Sequence, residues 1–211
     1  MESASKGISD ICSKYPSLIA IDEITIKGIL PINEIIKDEH IIDSFEVLID
    51  FSSVIPKVID VENRTKEYHH KYKEGNLCLE TDLIQLMYLK EHTYLEWLDY
   101  FVVYYFCSFL YYKKYKNFPF GERQHFIGDF EAYADFIQMD LLSAWNTLEY
   151  IIRKKYRGHN LCPCGSNKKL RGCHKNMIIN FQQDEIVFDA LNRLYKKTKG
   201  ELQKYGNKKK K

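Results

Sequence analysis

Two groups of cysteine and histidine residues in this chain have the types and spacing to do chemistry, and the chemistry would differ. The first is Glu74-Gly75-Asn76-Leu77-Cys78-Leu79-Glu80, shortly after the pair His69-His70. One cysteine follows a Gly-Asn turn and lies between two leucines. That places a thiol at the rim of an apolar patch, with two imidazoles nearby in sequence. A thiol is a good nucleophile and a good leaving group, so it can take up an acyl group as a thioester and pass it to an amine. At an ordinary pKa near ~8.5 only a few per cent is thiolate at neutral pH, so an imidazolium or a turn amide normally assists. The developing oxyanion also needs a donor. His69, His70 or Asn76 could supply it. The competing reading is a small buried hydrophobe, because a lone cysteine packs readily in a core.

The second group is Cys162-Pro163-Cys164-Gly165-Ser166 with Leu170-Arg171-Gly172-Cys173-His174. Three thiols and one imidazole form a soft tetrahedral donor set suited to Zn²⁺. All four places would be filled by protein, which argues for a structural ion rather than a catalytic one. A third stretch, Asn117-Phe118-Pro119-Phe120-Gly121-Glu122-Arg123-Gln124-His125, breaks the helical pattern around it. Pro119 and Gly121 are turn residues. Glu122 and His125, three apart, share a face of any following helix. There they could orient an attacking amine or support the Cys78 loop; an inter-helix turn with a capping Glu is the alternative.

The elements that must position these groups follow from periodicity. Ile19 to Leu30 and Ser44 to Phe51 read as strand, and Pro56 to Val61 as an extended edge segment. Pro31-Ile32-Asn33 reads as a turn, so residues 19–61 are expected to form a small antiparallel meander. Glu62 to Gly75 is polar and is expected to run over the surface. From Thr81 the apolar residues recur at helical spacing through Leu110, then again over Phe126 to Tyr156, and last over Met177 to Tyr205. Cys12 and Cys107 look inert, and Trp97 and Trp145 belong to core faces. The run Tyr100, Tyr104, Tyr105, Tyr111, Tyr112 reads as core and rim.

The chain has 211 residues with 45% hydrophobic and 14% aromatic content, enough for a packed domain and an appendage. The cysteines near His174 have metal spacing rather than a disulfide framework, which fits a reducing, cytoplasmic setting. Met1 to Ser13 lacks a signal-peptide pattern, and the most apolar run, Phe101 to Leu110, is too short for a membrane span. The net charge is +2. A membrane partner is not expected, and the charge gives little reason to expect nucleic acid. The closing Lys208 to Lys211 reads as a solvated tail.

The order of strands, polar flap, Gly-x-Leu-Cys-Leu and helices resembles the ubiquitin-conjugating enzyme family. By spacing, Tyr68-His69-His70 takes the place of that family's His-Pro-Asn, with His70 where its oxyanion-stabilising Asn would be. The chain is more similar still to the ubiquitin-conjugating-like proteins of bacterial antiphage operons. His70-Lys71-Tyr72-Lys73-Glu74-Gly75-Asn76-Leu77-Cys78-Leu79 follows their His-x-Asn-x-Asp-Gly-x-Leu-Cys-Leu, with Tyr for Asn and Glu for Asp. The stretch 117–125 follows their Trp-Pro-x-Gly-Glu-x-x-His, with Phe for Trp. Cys162 to His174 resembles the SEC-C zinc motif, whose contacts with proteins or nucleic acids Lys168, Lys169 and Arg171 would suit.

The expectation is therefore an α+β fold with a ubiquitin-conjugating-like domain over residues 15–155. A zinc knuckle over 156–176 and a C-terminal helix with basic tail over 177–211 follow. The resemblance implies a transferase that accepts a protein C-terminus on Cys78 and passes it to a lysine. It also implies antiphage signalling, an activating partner, and a conjugated protein such as a cyclic-nucleotide synthase. Two rivals stand beside it. One is a non-catalytic adaptor that grips protein or nucleic acid. The other is a cysteine hydrolase with Asp60 or Asp82 behind a histidine.

Overall fold

The computed structural model describes residues 3–119 and 128–208, with side chains to residue 200. The chain divides into two compact units, Met1–Glu122 and Arg123–Lys211. The expected first domain, 15–155, is thus divided, because the helices over 128–153 pack with the C-terminal helices.

The first unit opens with α1 (Ala4–Lys14), capped by the Ser3 hydroxyl, which accepts from the Lys6 amide at 3.4 Å. Four strands follow: β1 (Leu18–Ala20), β2 (Thr25–Ile36), β3 (Glu39–Asp50) and β4 (Lys57–Asp60). They form one antiparallel sheet in the order β1-β2-β3-β4. This is the expected meander, and the chain is α+β. Alternation drives it. Ile26, Leu30, Ile32 and Ile36 of β2 and Ile41, Phe45, Val47 and Ile49 of β3 point inward and are buried. Each such side chain contributes about 1.5–3 kcal/mol on burial.

The expected turn at Pro31 is not there. Pro31 lies inside β2, opposite Ser44. The Ile29 amide bonds outward to the Ser17 carbonyl at 3.1 Å, so the same side of residue 31 faces an open edge beyond the short β1. A missing N–H costs nothing at that position. The reversal comes later, at Lys37-Asp38, where φ values of 50° and 64° make a two-residue hairpin.

The helical layer consists of α2 (Asp82–Tyr88) and a continuous rod: α3 (Tyr94–Trp97), a π-helical segment over Leu98–Val103, and α4 (Tyr104–Tyr115). Trp97, Leu98, Val102 and Phe106 are buried, and Phe106 stacks on Phe45 of β3 at 4.0 Å. Lys116, in left-handed conformation at φ 57°, ends α4.

In the second unit, α5 (Gly128–Phe136) and α6 (Leu141–Arg153) lead into the cysteine-rich loop, then α7 (Lys175–Gln183) and α8 (Glu185–Lys208). The expected single last helix is broken at Asp184, whose carboxylate accepts from the Val187 amide at 3.1 Å and so starts α8. Phe130, Leu148, Ile151, Ile178 and Leu191 fill the core of this unit. Among the described residues no helix is long and apolar enough to cross a membrane.

Candidate thiol site and metal centre

β4 delivers the chain to the flap, and one side chain fixes the delivery. Asp60 is 2% exposed. Its Oδ2 accepts from the Thr65 amide at 2.7 Å and from the Thr65 hydroxyl at 2.9 Å, while its carbonyl accepts from the Asn63 amide at 3.0 Å. Thr65 is fully buried and Tyr68 nearly so. The segment 62–75 is therefore anchored from below rather than lying wholly on the surface as its polar composition suggests. Asp60 here organises the flap backbone, which is not the orienting role a hydrolase would give it.

The chain then turns back on itself. The Gly75 amide bonds the Tyr72 carbonyl at 3.0 Å, and Gly75 takes φ 95°, a conformation that favours glycine. The returning residues 76–78 lie between two neighbours. On one side Asn76 bridges to Ile59, and the Leu77 amide bonds the Val58 carbonyl of β4 at 2.8 Å. On the other side Lys71 bridges to Leu77, and the Cys78 amide bonds the His70 carbonyl at 3.0 Å. Cys78 thus sits on a minimal central strand flanked by β4 and the flap. Leu77 is buried, whereas Cys78 is partly exposed. A fully buried small hydrophobe does not describe it.

Backbone bonds bring His70, Asn76 and Cys78 together. His69 is exposed, its ring edge-on to Tyr112 at 6.5 Å. The His70 ring lies edge-on to Tyr68 at 5.3 Å and to Phe118 at 5.5 Å. Phe118 stacks in turn on Tyr112 of α4 at 4.7 Å, so this residue packs against the flap. Glu122 and His125 lie outside the described residues.

Sequence reasoning missed Tyr105. This buried residue of α4 donates its hydroxyl to the His70 carbonyl at 2.8 Å, the same oxygen that takes the Cys78 amide. Burial pushes the Tyr105 phenol well above its usual range; the Thr65 side chain works against this, while nearby Tyr68, Cys78 and Asp60 add to it. It remains a donor at any physiological pH. Cys107 makes the contrast: it is fully buried and burial pushes its thiol up to about 12. Trp97 is core as expected, its indole donating to Gln85 at 3.0 Å.

In the second unit, the ligand atoms of Cys162, Cys164, Cys173 and His174 all lie within 4.8 Å of one another. The Cys164 and Cys173 sulfurs are 3.7 Å apart. His174 Nδ1 is 3.2 Å from the Cys162 sulfur and 3.3 Å from that of Cys173. A tetrahedral ion with metal–sulfur bonds of about 2.3 Å separates two sulfurs by about 3.8 Å, so the donor set fits a metal ion. Burial pushes the Cys162 thiol up to about 11. At Cys164 burial also acts upward, but hydrogen bonds from Ser166 and the neighbouring thiols outweigh it and hold the thiol at about 6. Ser166 was not picked out by sequence. Its hydroxyl lies 3.2 Å from the Cys164 sulfur and 3.4 Å from that of Cys173.

No protein-family model matches the chain, no curated protein matches it, and no solved structure matches it.

Proposed function

We propose that Cys78 is an acyl carrier of the ubiquitin-conjugating type and that Cys162, Cys164, Cys173 and His174 hold a structural Zn²⁺. The observation that carries the first part is the placement of Cys78. It is partly exposed, on a central strand pinned by the His70 carbonyl, directly after a flap that follows a four-stranded meander. The Cys78 thiolate attacks the carbonyl of an incoming thioester; a new C–S bond forms and the donor thiolate leaves. A lysine amine then attacks the Cys78 thioester, the C–N bond forms, the Cys78 thiolate is released, and the amine proton passes to solvent. His69, His70 and Asn76 assist by donating to the oxyanion or carrying the proton. The acyl group is the C-terminus of a protein, such as a cyclic-nucleotide synthase in antiphage signalling, delivered already activated by a partner.

A peptide ending in Gly-Gly and activated as its mercaptoethanesulfonate thioester tests this without the natural partner. Intact-mass analysis should show a hydroxylamine-labile adduct mapping to Cys78, discharged by added lysine. Cys78→Ala should remove it and Cys107→Ala should not. Equal adduct in Cys78→Ala would overturn the reading.

The zinc assignment rests on the fit of three sulfurs and one nitrogen to a tetrahedron, a donor set soft enough to favour Zn²⁺. When bound, the ion joins the two halves of the loop and fills its valence with protein, which leaves no place for substrate. Native mass spectrometry should give one zinc per chain, lost in Cys173→Ala.

A further inference from the structure

Where α2 meets the rod, three rings stack in a ladder. The His92 imidazole lies on Tyr88 at 3.8 Å and 9°, and Tyr88 lies on Tyr100 at 5.1 Å and 11°. Tyr104, four residues on, continues the row at 6.1 Å from Tyr100. The buried Phe101 supports it, edge-on to both Tyr88 and Tyr100. The ladder itself faces water: Tyr100 is 56% exposed and Tyr104 39%, while Tyr88 and His92 are half-buried. Tyr100 stands on the π-helical segment Leu98–Val103, and such segments recur at functional sites.

The charge along this part of the chain has one sign. From Glu74 to Tyr112 there are six acidic side chains, Glu74, Glu80, Asp82, Glu91, Glu96 and Asp99, against one lysine, Lys90. Asp99 is matched by Lys14 at 2.6 Å. Glu96 is exposed and accepts from the Thr93 amide at 2.7 Å; the Thr93 amide and hydroxyl hold its carboxyl below the usual range, so it keeps its charge. Burial, then Glu96, Tyr100 and Asp99, raise the Tyr88 phenol, so these carboxylates are within electrostatic reach of the ladder. The whole unit has the same bias. Met1–Glu122 carries 20 acidic and 13 basic residues, whereas Arg123–Lys211 carries 9 and 18. An excess of one sign draws in partners of the other.

We infer that this ladder docks a cationic peptide segment, rich in arginine or lysine, and that the segment presents the acceptor lysine to Cys78. Ammonium and guanidinium groups are drawn to the negative faces of tyrosine rings, and the planar guanidinium also stacks on them. The carboxylates at the rim complete the match. The same carboxylates repel the phosphates of a nucleic acid or of an anionic lipid. The reach is short enough. Asp82 is four residues beyond Cys78, and α2 then carries the chain to Tyr88, so the two sites lie within about 24 Å, a span of about seven extended residues. That the bound peptide is the acceptor rests on the acyl-carrier reading of Cys78; the docking itself does not.

Binding and transfer are read separately. The full chain with Cys78→Ala is titrated into a fluorescein-labelled peptide of about nine residues, one lysine with arginines on both sides, and followed by anisotropy. Glutamates in place of the arginines should abolish binding. Tyr100→Ala combined with Tyr104→Ala keeps every charge and should weaken binding at least about fivefold. Tyr115→Ala, which removes a tyrosine of similar exposure at the end of α4, should leave it unchanged. Tyr100→Leu combined with Tyr104→Leu keeps apolar bulk in place of the rings and should fail like the alanine pair; circular dichroism checks that both pairs keep their helices. In the transfer arm, the chain with Cys78 intact carries the Gly-Gly thioester. The arginine-flanked peptide should discharge it at a half-saturating concentration at least about fivefold below that of a serine-flanked peptide, and the alanine pair should narrow that ratio. Binding indifferent to the two rings, or equal for the arginine and glutamate peptides, would overturn the docking surface. Tight binding without a preference in discharge would overturn the acceptor assignment. If no adduct forms on Cys78 at all, the acyl-carrier reading fails, and the docking stands or falls on the anisotropy alone.

Discussion

The thiol on the flap strand and the thiols of the knuckle are held by opposite means. Cys78 is placed by the backbone: its amide is fixed to the His70 carbonyl and its neighbour's amide to β4. The knuckle thiols are placed to converge, each sulfur within 4.8 Å of the other donors. The first arrangement leaves Cys78 partly exposed. The second brings the sulfurs close enough to one another and to the imidazole to hold a metal ion. Chemistry at a cysteine is decided by which of these the surrounding chain does, not by the residue itself; Cys107, sealed in the core beside the sheet, does neither.

Removing a ligand should separate the two regions most sharply. Cys173→Ala leaves three donors, and the apparent zinc affinity should drop by at least about a thousandfold, a loss well within the energy such sites contribute. Competition with a colorimetric zinc chelator reads it. The rate at which iodoacetamide alkylates Cys78, mapped by peptide, should stay within about twofold of the parent. A collapse of both would show that the thiol site depends on the metal loop, contrary to the contrast drawn above.

Next in size is the flap anchor. Asp60→Ala strips two hydrogen bonds from Thr65 in a buried setting and should cost about 2–3 kcal/mol in urea unfolding. Zinc affinity should not change. On the metal side, Ser166→Ala removes a hydroxyl that lies against two thiols and should weaken zinc binding about tenfold, as outer partners of ligands typically do. Ser166→Thr should restore it, since the hydroxyl is kept. The cobalt-substituted protein should keep its tetrahedral absorption in both, which separates tuning of the site from its loss.

The two regions also differed in how much of them was legible. The knuckle could be read almost whole, because its ligands are close in sequence and their types admit few other uses; only Ser166 was overlooked, a residue with no distinguishing pattern. The sheet was legible through alternation in β2 and β3. Its hairpin was not, because Lys37-Asp38 lacks the glycine that normally marks such a turn, while Pro31 resembles a breaker and is tolerated at an open edge. The flap looked purely polar because Thr65 and Tyr68 are buried one at a time, among exposed neighbours. Tyr105 was hidden for a geometric reason. The π segment over Leu98–Val103 widens the helix by part of a turn, so the faces before and after it do not share one 3.6-residue register. A tyrosine that reaches under the flap then looks like one more member of an aromatic stripe.

Tyr105 also supplies the finest test of the contrast, because Tyr105→Phe removes a single hydroxyl and leaves the ring packing against Tyr68 and Phe106. Loss of one bond to the His70 carbonyl should cost about 1 kcal/mol. The pH dependence reports the burial of that phenol in its protonated form. In the unfolded chain the phenol ionises near about 10; in the folded protein burial holds it protonated well beyond that. Above the unfolded value the unfolded state therefore binds fewer protons than the native one, and stability falls as pH rises. Below it the contribution is fully present. Tyr15 and Tyr133 are pushed the same way, so the parent and the variant should both lose stability in alkali, but the variant less steeply by the share of one phenol. Urea unfolding midpoints taken between neutral pH and the alkaline limb measure that difference. Parallel curves would mean that burial beneath the flap does not hold the Tyr105 phenol protonated.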